Sequence, residues 1–174
     1  KGIFITDSES NKVYHVKRPN GKMEVFMDSP AIANPNGIAI SNNGEYLYLG
    51  TSNGIRIIEI KTRTLTNPPQ KSLAGIDGLK FYKNRLYGIV NGWGDHSKNG
   101  LYEYTLSNNG KEIRNRRKLV DFTKDFRIPT TFDILDGSIY FVMNTQLDNF
   151  DENRMEIVEI EKIEKYKLLK VGLD

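Results

Sequence analysis

Cysteine is absent from the 174 residues, so disulfides, thiolate metal sites and cysteine nucleophiles are excluded. Histidine is nearly absent too: with only His15 and His96, no His-rich metal cluster can form. No apolar run approaches the roughly 20 residues of a membrane span, which excludes a helical membrane anchor within the chain. Neither sign of charge dominates, because 25 basic residues face 22 acidic ones. A net charge of +3 carries no electrostatic footprint for nucleic acid. No Gly-x-Ser-x-Gly elbow, phosphate loop or dinucleotide fingerprint is found. The absence of cysteine does not separate cytoplasm from periplasm or secretion, so localisation stays unassigned. What is abundant is β-branched and aromatic residues, including 8 Phe and 9 Tyr, broken by 15 Gly and 6 Pro. That is the composition of a folded, turn-rich β protein.

Short apolar runs alternate with Gly, Asn, Asp and Pro along the whole chain. One formula recurs three times. Pro35-Asn36-Gly37-Ile38-Ala39-Ile40 is followed by Asn43-Gly44, Tyr46-Leu47-Tyr48-Leu49 and Gly54-Ile55-Arg56-Ile57-Ile58. Ile76-Asp77-Gly78-Leu79-Lys80-Phe81 is followed by Lys83-Asn84, Arg85-Leu86-Tyr87-Gly88-Ile89 and Gly100-Leu101-Tyr102-Glu103-Tyr104. Thr130-Thr131-Phe132-Asp133-Ile134 is followed by Asp136-Gly137, Ile139-Tyr140-Phe141-Val142 and Met155-Glu156-Ile157-Val158-Glu159-Ile160. Each copy reads as strand, tight turn, strand, loop, strand, then a weaker fourth strand such as Leu65–Lys71 or Lys167–Val171. The Asn-Gly and Asp-Gly pairs suit two-residue hairpins. Repeats of this period mark a β-propeller of four-stranded antiparallel blades. A sandwich or jelly roll is the competing all-β arrangement. In Asp151–Leu169, the residues Ile157, Ile160, Ile163 and Leu168 also fit an amphipathic helix, although the local alternation favours a strand.

The first 30 residues fit the last three strands of a blade. Residues 31–73, 74–124 and 125–174 then form one blade each, about three and three-quarter blades in all. The chain opens on Lys1 rather than Met, and in mid-blade. A longer ring is therefore expected, closed by a missing N-terminal portion or by a symmetry mate.

The first residues of the innermost strands of a propeller face one another across its channel. Asn36, Asp77 and Thr130 hold that position here. Their oxygens suit a hard cation such as Ca²⁺, which could polarise a carbonyl or activate a water. The same Asn and Asp also shape tight turns well, and the two readings stand level on the residues alone. At the exits of the second strands lie Ser8, Ser52, Asn91 and Asn144. Asn91 and Asn144 each precede a long loop and are candidate substrate contacts. The loop after Asn91 carries Trp93 and His96, which suggest either a ligand-stacking lid or a cap on the blade core. The acidic loop at Asp148, Asp151 and Glu152 lacks the order of a calcium loop. The run Arg114-Asn115-Arg116-Arg117-Lys118 reads as charge protecting an outer strand. His15, between Tyr14 and Val16, reads as packing.

The stretch Pro35-Asn36-Gly37-Ile38-Ala39-Ile40-Ser41, with Asn43-Gly44 and Tyr46-Leu47-Tyr48-Leu49 behind it, resembles a signature of the senescence marker protein/gluconolactonase family, relatives of strictosidine synthase and paraoxonase. Gly75-Ile76-Asp77-Gly78-Leu79 resembles that family's next-blade motif, and residues 128–148 are similar to the last blade of uncharacterised bacterial relatives. The resemblance implies a six-bladed propeller with a divalent metal, often calcium, in the channel. It implies Asn36 and Asp77 as metal ligands and Asp77 as a proton-handling residue in a hydrolase of lactones or related esters. The family's Glu ligand and earlier Asn ligand have no counterpart in this sequence. The alternative is a non-catalytic propeller that binds a small ligand or a protein through its loops.

Overall fold

A computed structural model describes residues 2–18, 21–91, 96–123 and 128–173. Its strands are antiparallel throughout and form successive small sheets. The first sheet joins β1 (Gly2–Asp7), β2 (Lys12–Lys17) and β3 (Met23–Asp28) in chain order. The second joins β4 (Ile38–Ile40), β5 (Tyr46–Thr51), β6 (Gly54–Glu59) and β7 (Thr64–Leu65). The third joins β8 (Ile76–Tyr82), β9 (Arg85–Val90), β10 (Gly100–Leu106) and β11 (Ile113–Asp121). The last region holds β12 (Phe132–Leu135), β13 (Ser138–Val142), a separate hairpin of β14 (Phe150–Asp151) and β15 (Glu156–Ile157), and β16 (Leu168–Gly172). There the fourth sheet runs β12, β13, β16.

The turns explain the strand registers. Lys83 and Asn84 take φ of 47° and 59°, and Asp136 and Gly137 take 48° and 69°. Two successive residues at positive φ close a hairpin whose twist matches its strands. Tyr82 therefore pairs with Arg85, and Leu135 with Ser138.

The core is three apolar layers, one in each gap between neighbouring sheets. Val13, Phe26 and Ile32 meet Leu47, Leu49 and Ile58 between the first two sheets. Tyr46, Tyr48, Ile55 and Ile57 meet Ile76, Leu79, Leu86 and Tyr104 in the next gap. Tyr87, Ile89 and Leu101 meet Phe132, Ile139 and Phe141 in the third. Successive strand residues point to opposite faces, so β5 sends Leu47 and Leu49 one way and Tyr46 and Tyr48 the other. With both faces covered, every residue of β5 is buried. The first sheet is covered on one face only. Ile3, Ile5, Met23 and Val25 share its other face through the pairs Ile3–Val16–Met23 and Ile5–Tyr14–Val25, and are 43, 42, 60 and 45% exposed.

Two expected strands differ. The fourth strand of the second sheet stops at Leu65 instead of running to Lys71. Beyond it the Asn67 side chain replaces the ladder: Oδ1 accepts the Ile57 N–H at 2.8 Å and Nδ2 donates to the Ile55 carbonyl at 2.8 Å. Pro68 and Pro69 follow and have no N–H to continue it. In the last region, Met155–Ile160 was expected as the third strand. Glu156–Ile157 pairs instead with Phe150–Asp151, and Leu168–Gly172 lies against β13. The helical alternative for this segment reduces to one 3-10 turn at Ile160–Lys162.

Candidate functional site

The starts of the inner strands lie side by side, and small residues allow it. A Cβ on Gly37 would stand 2.4 Å from the Asp77 carbonyl oxygen, and one on Gly78 would stand 2.7 Å from that of Thr130. The second, third and fourth sheets thus touch backbone to backbone at these glycines. The Thr6 hydroxyl extends the series by donating to the Asn36 carbonyl at 2.9 Å. The pairing of β8 with β9 shifts between Ile76 and Leu79, so Asp77 and Gly78 together oppose Ile89. Such a bulge re-aims a side chain, here that of Asp77.

Around Asp77 lies a pocket of about 270 Å³ lined by Asn34, Asn36, Thr51, Ser52, Asp77 and Asn91, with the Gly75–Ile76 backbone. Asn91 Nδ2 donates to Asp77 Oδ2 at 2.8 Å and to the Pro129 carbonyl at 2.9 Å. Both partners are acceptors, which fixes the orientation of the Asn91 amide. Burial pushes the Asp77 carboxyl above the usual carboxylate range, and the amides of Asn91 and Asn36 partly oppose that shift. Ser8 acts as Asn91 does, two gaps earlier, donating to the Pro35 carbonyl at 2.8 Å. Each of these second-strand exits latches the residue just ahead of the next inner strand.

The sequence candidates therefore separate. Asn36, Asp77 and Asn91 meet at one pocket. Thr130 touches the site through its backbone at Gly78 and does not line the pocket. Asn144 is 2% exposed and committed elsewhere: Oδ1 accepts the Lys167 N–H at 2.6 Å and Nδ2 donates to the Lys165 carbonyl at 3.0 Å. It closes the long excursion between β13 and β16. His96 lies in an exposed 3-10 turn, with Nδ1 3.0 Å from Asn99 Nδ2. Trp93 lies outside the described residues. Asn34 and Thr51 went unnoticed in the sequence. Asn34 sits at φ 48° just before Pro35, and its Oδ1 accepts the Ser52 hydroxyl at 3.0 Å. An Asn-Pro step ahead of the repeat was the available signal.

Several other polar groups serve the sheets themselves. Glu103, buried on β10, accepts from Arg85 at 2.9 Å, Tyr87 Oη at 3.2 Å and Arg117 at 3.5 Å. Arg116 donates to the Ser72 carbonyl at 2.6 Å, and Arg114 pairs with Glu112 at 2.9 Å. The basic run is thereby tied into its own sheet and its neighbour. His15 stacks on Phe4 with ring centroids 4.5 Å apart.

The donor set at Asp77 is one carboxylate with neutral amide and hydroxyl oxygens, which fits part of the coordination sphere of a hard divalent cation. Among the described residues, no group of three or more His, Cys, Asp or Glu is arranged to hold a metal.

No protein-family model matches the chain, and no curated protein does. Solved structures do. A nidogen/laminin complex matches with a TM-score of 0.64 at 16% identity, over 82% of this chain and 52% of that one. TolB from Acinetobacter baumannii matches with a TM-score of 0.61 at 15% identity, over 99% and 38%. A putative 6-phosphogluconolactonase from Bacteroides uniformis matches with a TM-score of 0.60 at 14% identity, over 100% and 52%. The chain spans about half or less of the length of these three structures. At such identities the likeness concerns the fold. The chain is an all-β, propeller-type protein of antiparallel blades whose sheets do not close into a ring.

Proposed function

We propose that this chain belongs to a hydrolase of lactones or related esters, with Asn36 and Asp77 holding a divalent metal such as Ca²⁺ and Asp77 as the catalytic carboxylate. The observation that carries the reading is the convergence of Asn36 from one blade with Asp77 and Asn91 from the next on one pocket of about 270 Å³. Its carboxylate and amide groups, set in a largely apolar wall, suit a small oxygenated substrate. A bound cation would supply polarisation of the ester carbonyl and an activated water. Asn91 keeps the Asp77 carboxylate oriented through Oδ2. Asp77 takes the proton of the attacking water in this reading. The similarity to a putative lactonase supports the fold on which such a site is built. The fold's apolar face at Ile3, Ile5, Met23 and Val25 is covered, in the same reading, by a further blade of the same polypeptide.

The test is calorimetric titration of Ca²⁺ into the intact protein and its Asp77→Ala variant, with hydrolysis of a δ-lactone followed in parallel. We expect metal affinity and turnover to fall together in the variant. Equal metal affinity in both proteins refutes the assignment. A second reading, a non-catalytic propeller that binds a small ligand, is favoured by one observation: Asp77 Oδ2 is already engaged by an amide locked to Pro129. Ligand binding without turnover in the intact protein would select it.

A further inference from the structure

Two turns at the other end of the blades carry the same four residues. Ser41-Asn42-Asn43-Gly44 connects β4 to β5, and Ser107-Asn108-Asn109-Gly110 connects β10 to β11. They are built alike. In each, the Ser hydroxyl donates to Oδ1 of the second Asn at 2.7 Å. The Gly N–H donates to the Ser carbonyl at 2.9 Å in both, and both glycines have φ of 72°. The N–H after each Gly donates to the same Asn Oδ1, at 3.1 Å and 3.2 Å. The turn thus consumes Oδ1 of Asn43 and of Asn109 and leaves each Nδ2 outside its hydrogen bonds.

The first turn belongs to the second sheet and the other to the third. Both line a cavity of about 400 Å³ between these sheets. Five residues separate Ser41 from Asn36 along β4, so the cavity lies roughly 17 Å from the Asp77 pocket at about 3.3 Å per residue. Its rim carries five carboxamides, those of Asn42, Asn43, Asn84, Asn108 and Asn109. Its apolar floor is the partly exposed Phe81 ring, stacked at 5.7 Å on Tyr48, which is buried together with Tyr46. The Tyr48 hydroxyl donates to the Gly110 carbonyl at 3.3 Å, which ties floor to rim. A Cβ on Gly110 would meet that hydroxyl at 2.9 Å. Lys111, just beyond, is drawn to Glu59 at 3.8 Å and lies over the Tyr46 ring at 5.7 Å. Glu45 is the one charged side chain in the lining.

Carboxamides both donate and accept, so a ring of them matches vicinal hydroxyls, each of which also does both. An aromatic floor matches an apolar C–H face. The near absence of charge selects against ions, and the volume is that of a small-molecule site. We propose that this cavity is a second binding site, for a neutral carbohydrate of one or two rings, on the face of the blades opposite Asp77.

The experiment is amide NMR on the ¹⁵N-labelled full chain, titrated separately with D-glucose, D-galactose, maltose and, as a charged probe of similar size, sodium gluconate. At least one neutral sugar is expected to shift the side-chain amides of these five Asn residues with a Kd of about 1 mM, leaving Asn36 and Asn91 unmoved. Asn84→Gly preserves the positive φ of its turn and Asn108→Ala removes an amide the turn does not use. The double variant should keep its melting temperature and weaken binding about tenfold or more. Should the double variant melt early, Asn108→Ala alone is expected to weaken the same sugar about threefold. No response to any neutral sugar at roughly 20 mM, gluconate binding as tightly, shifts centred on Asn36 and Asn91, or an unchanged Kd in the folded variants would each overturn the proposal.

Discussion

Gly78→Ala adds one methyl group where the third and fourth sheets come closest. The new carbon would stand 2.7 Å from the Thr130 carbonyl oxygen, 3.0 Å from Thr131 Cα and 3.3 Å from Phe132 Cδ1. The two nearest atoms are backbone, so no rotamer change relieves the contact, and the sheets must move apart. Overpacking of this kind costs about 1–3 kcal/mol. Alanine also restricts the unfolded chain relative to glycine, which returns about 0.4–1 kcal/mol. The net loss is then about 0–2.6 kcal/mol, and about 1–3 kcal/mol relative to a glycine-to-alanine change that meets no contact. For a protein of this size each kcal/mol lowers the melting temperature by about 2–4 °C, so a fall of up to about 10 °C from the parent, and of about 2–12 °C relative to a contact-free glycine-to-alanine control, is expected. Urea and thermal unfolding followed by circular dichroism measure it. Gly172→Ala is the control, because nothing lies within 4 Å of its added Cβ. If Gly78→Ala proves as stable as Gly172→Ala, close backbone approach is not what Gly78 provides, and the account of the seam fails.

Asn91→Ala removes the donor to both Asp77 and Pro129, and a loss of about 1–3 kcal/mol in urea unfolding is expected, because one of the two bonds goes to a carboxylate; a change below about 0.5 kcal/mol would show that the latch carries no stability. Tyr48 and Tyr87 have hydroxyls that burial pushes up to about 12. The unfolded chain releases these protons near pH 10, so their contribution to stability is full below pH 10 and is lost as the pH rises towards 12. Absorbance titration of tyrosinate should show these two ionising last along with Tyr104, and a titration in which all 9 tyrosines ionise together near pH 10 would contradict their burial.

The repeat was legible because its signals are local. Asn43-Gly44, Lys83-Asn84 and Asp136-Gly137 announce their turns within a few residues, and the apolar runs between them announce strands. Register placed Asn36 and Asp77 at the starts of their inner strands, and the resemblance, not register, singled them out as ligands. The bulge that aims Asp77 was not legible, since it depends on how β8 pairs with β9 and leaves no mark in the alternation. The role of Asn67 was hidden for a related reason: its side chain imitates a strand, and Leu65–Lys71 reads as one. Met155–Ile160 alternates as a strand should, yet alternation does not name a partner. The buried Asn144 brings Lys165 and Lys167 close to the end of β13, and that long-range contact hands the place beside β13 to Leu168–Gly172. The twin Ser-Asn-Asn-Gly turns occupy different places in their sheets, inner in one and outer in the other, so a comparison of equivalent positions passes over them.

The one-gap-at-a-time core has a consequence for the order in which the molecule comes apart. Among the described residues, each apolar layer joins one sheet to its immediate neighbour, as in quasi-one-dimensional repeat proteins. β5 is buried along its whole length, whereas β1 and β16 are largely solvent-facing. Among the described residues, amide exchange should therefore be slowest in β5, β9 and β10. Asn36, Asp77 and Asn91 all hang on the two sheets that hold these strands, so the pocket sits in the best-protected part of the described residues and can keep its shape while less buried strands breathe.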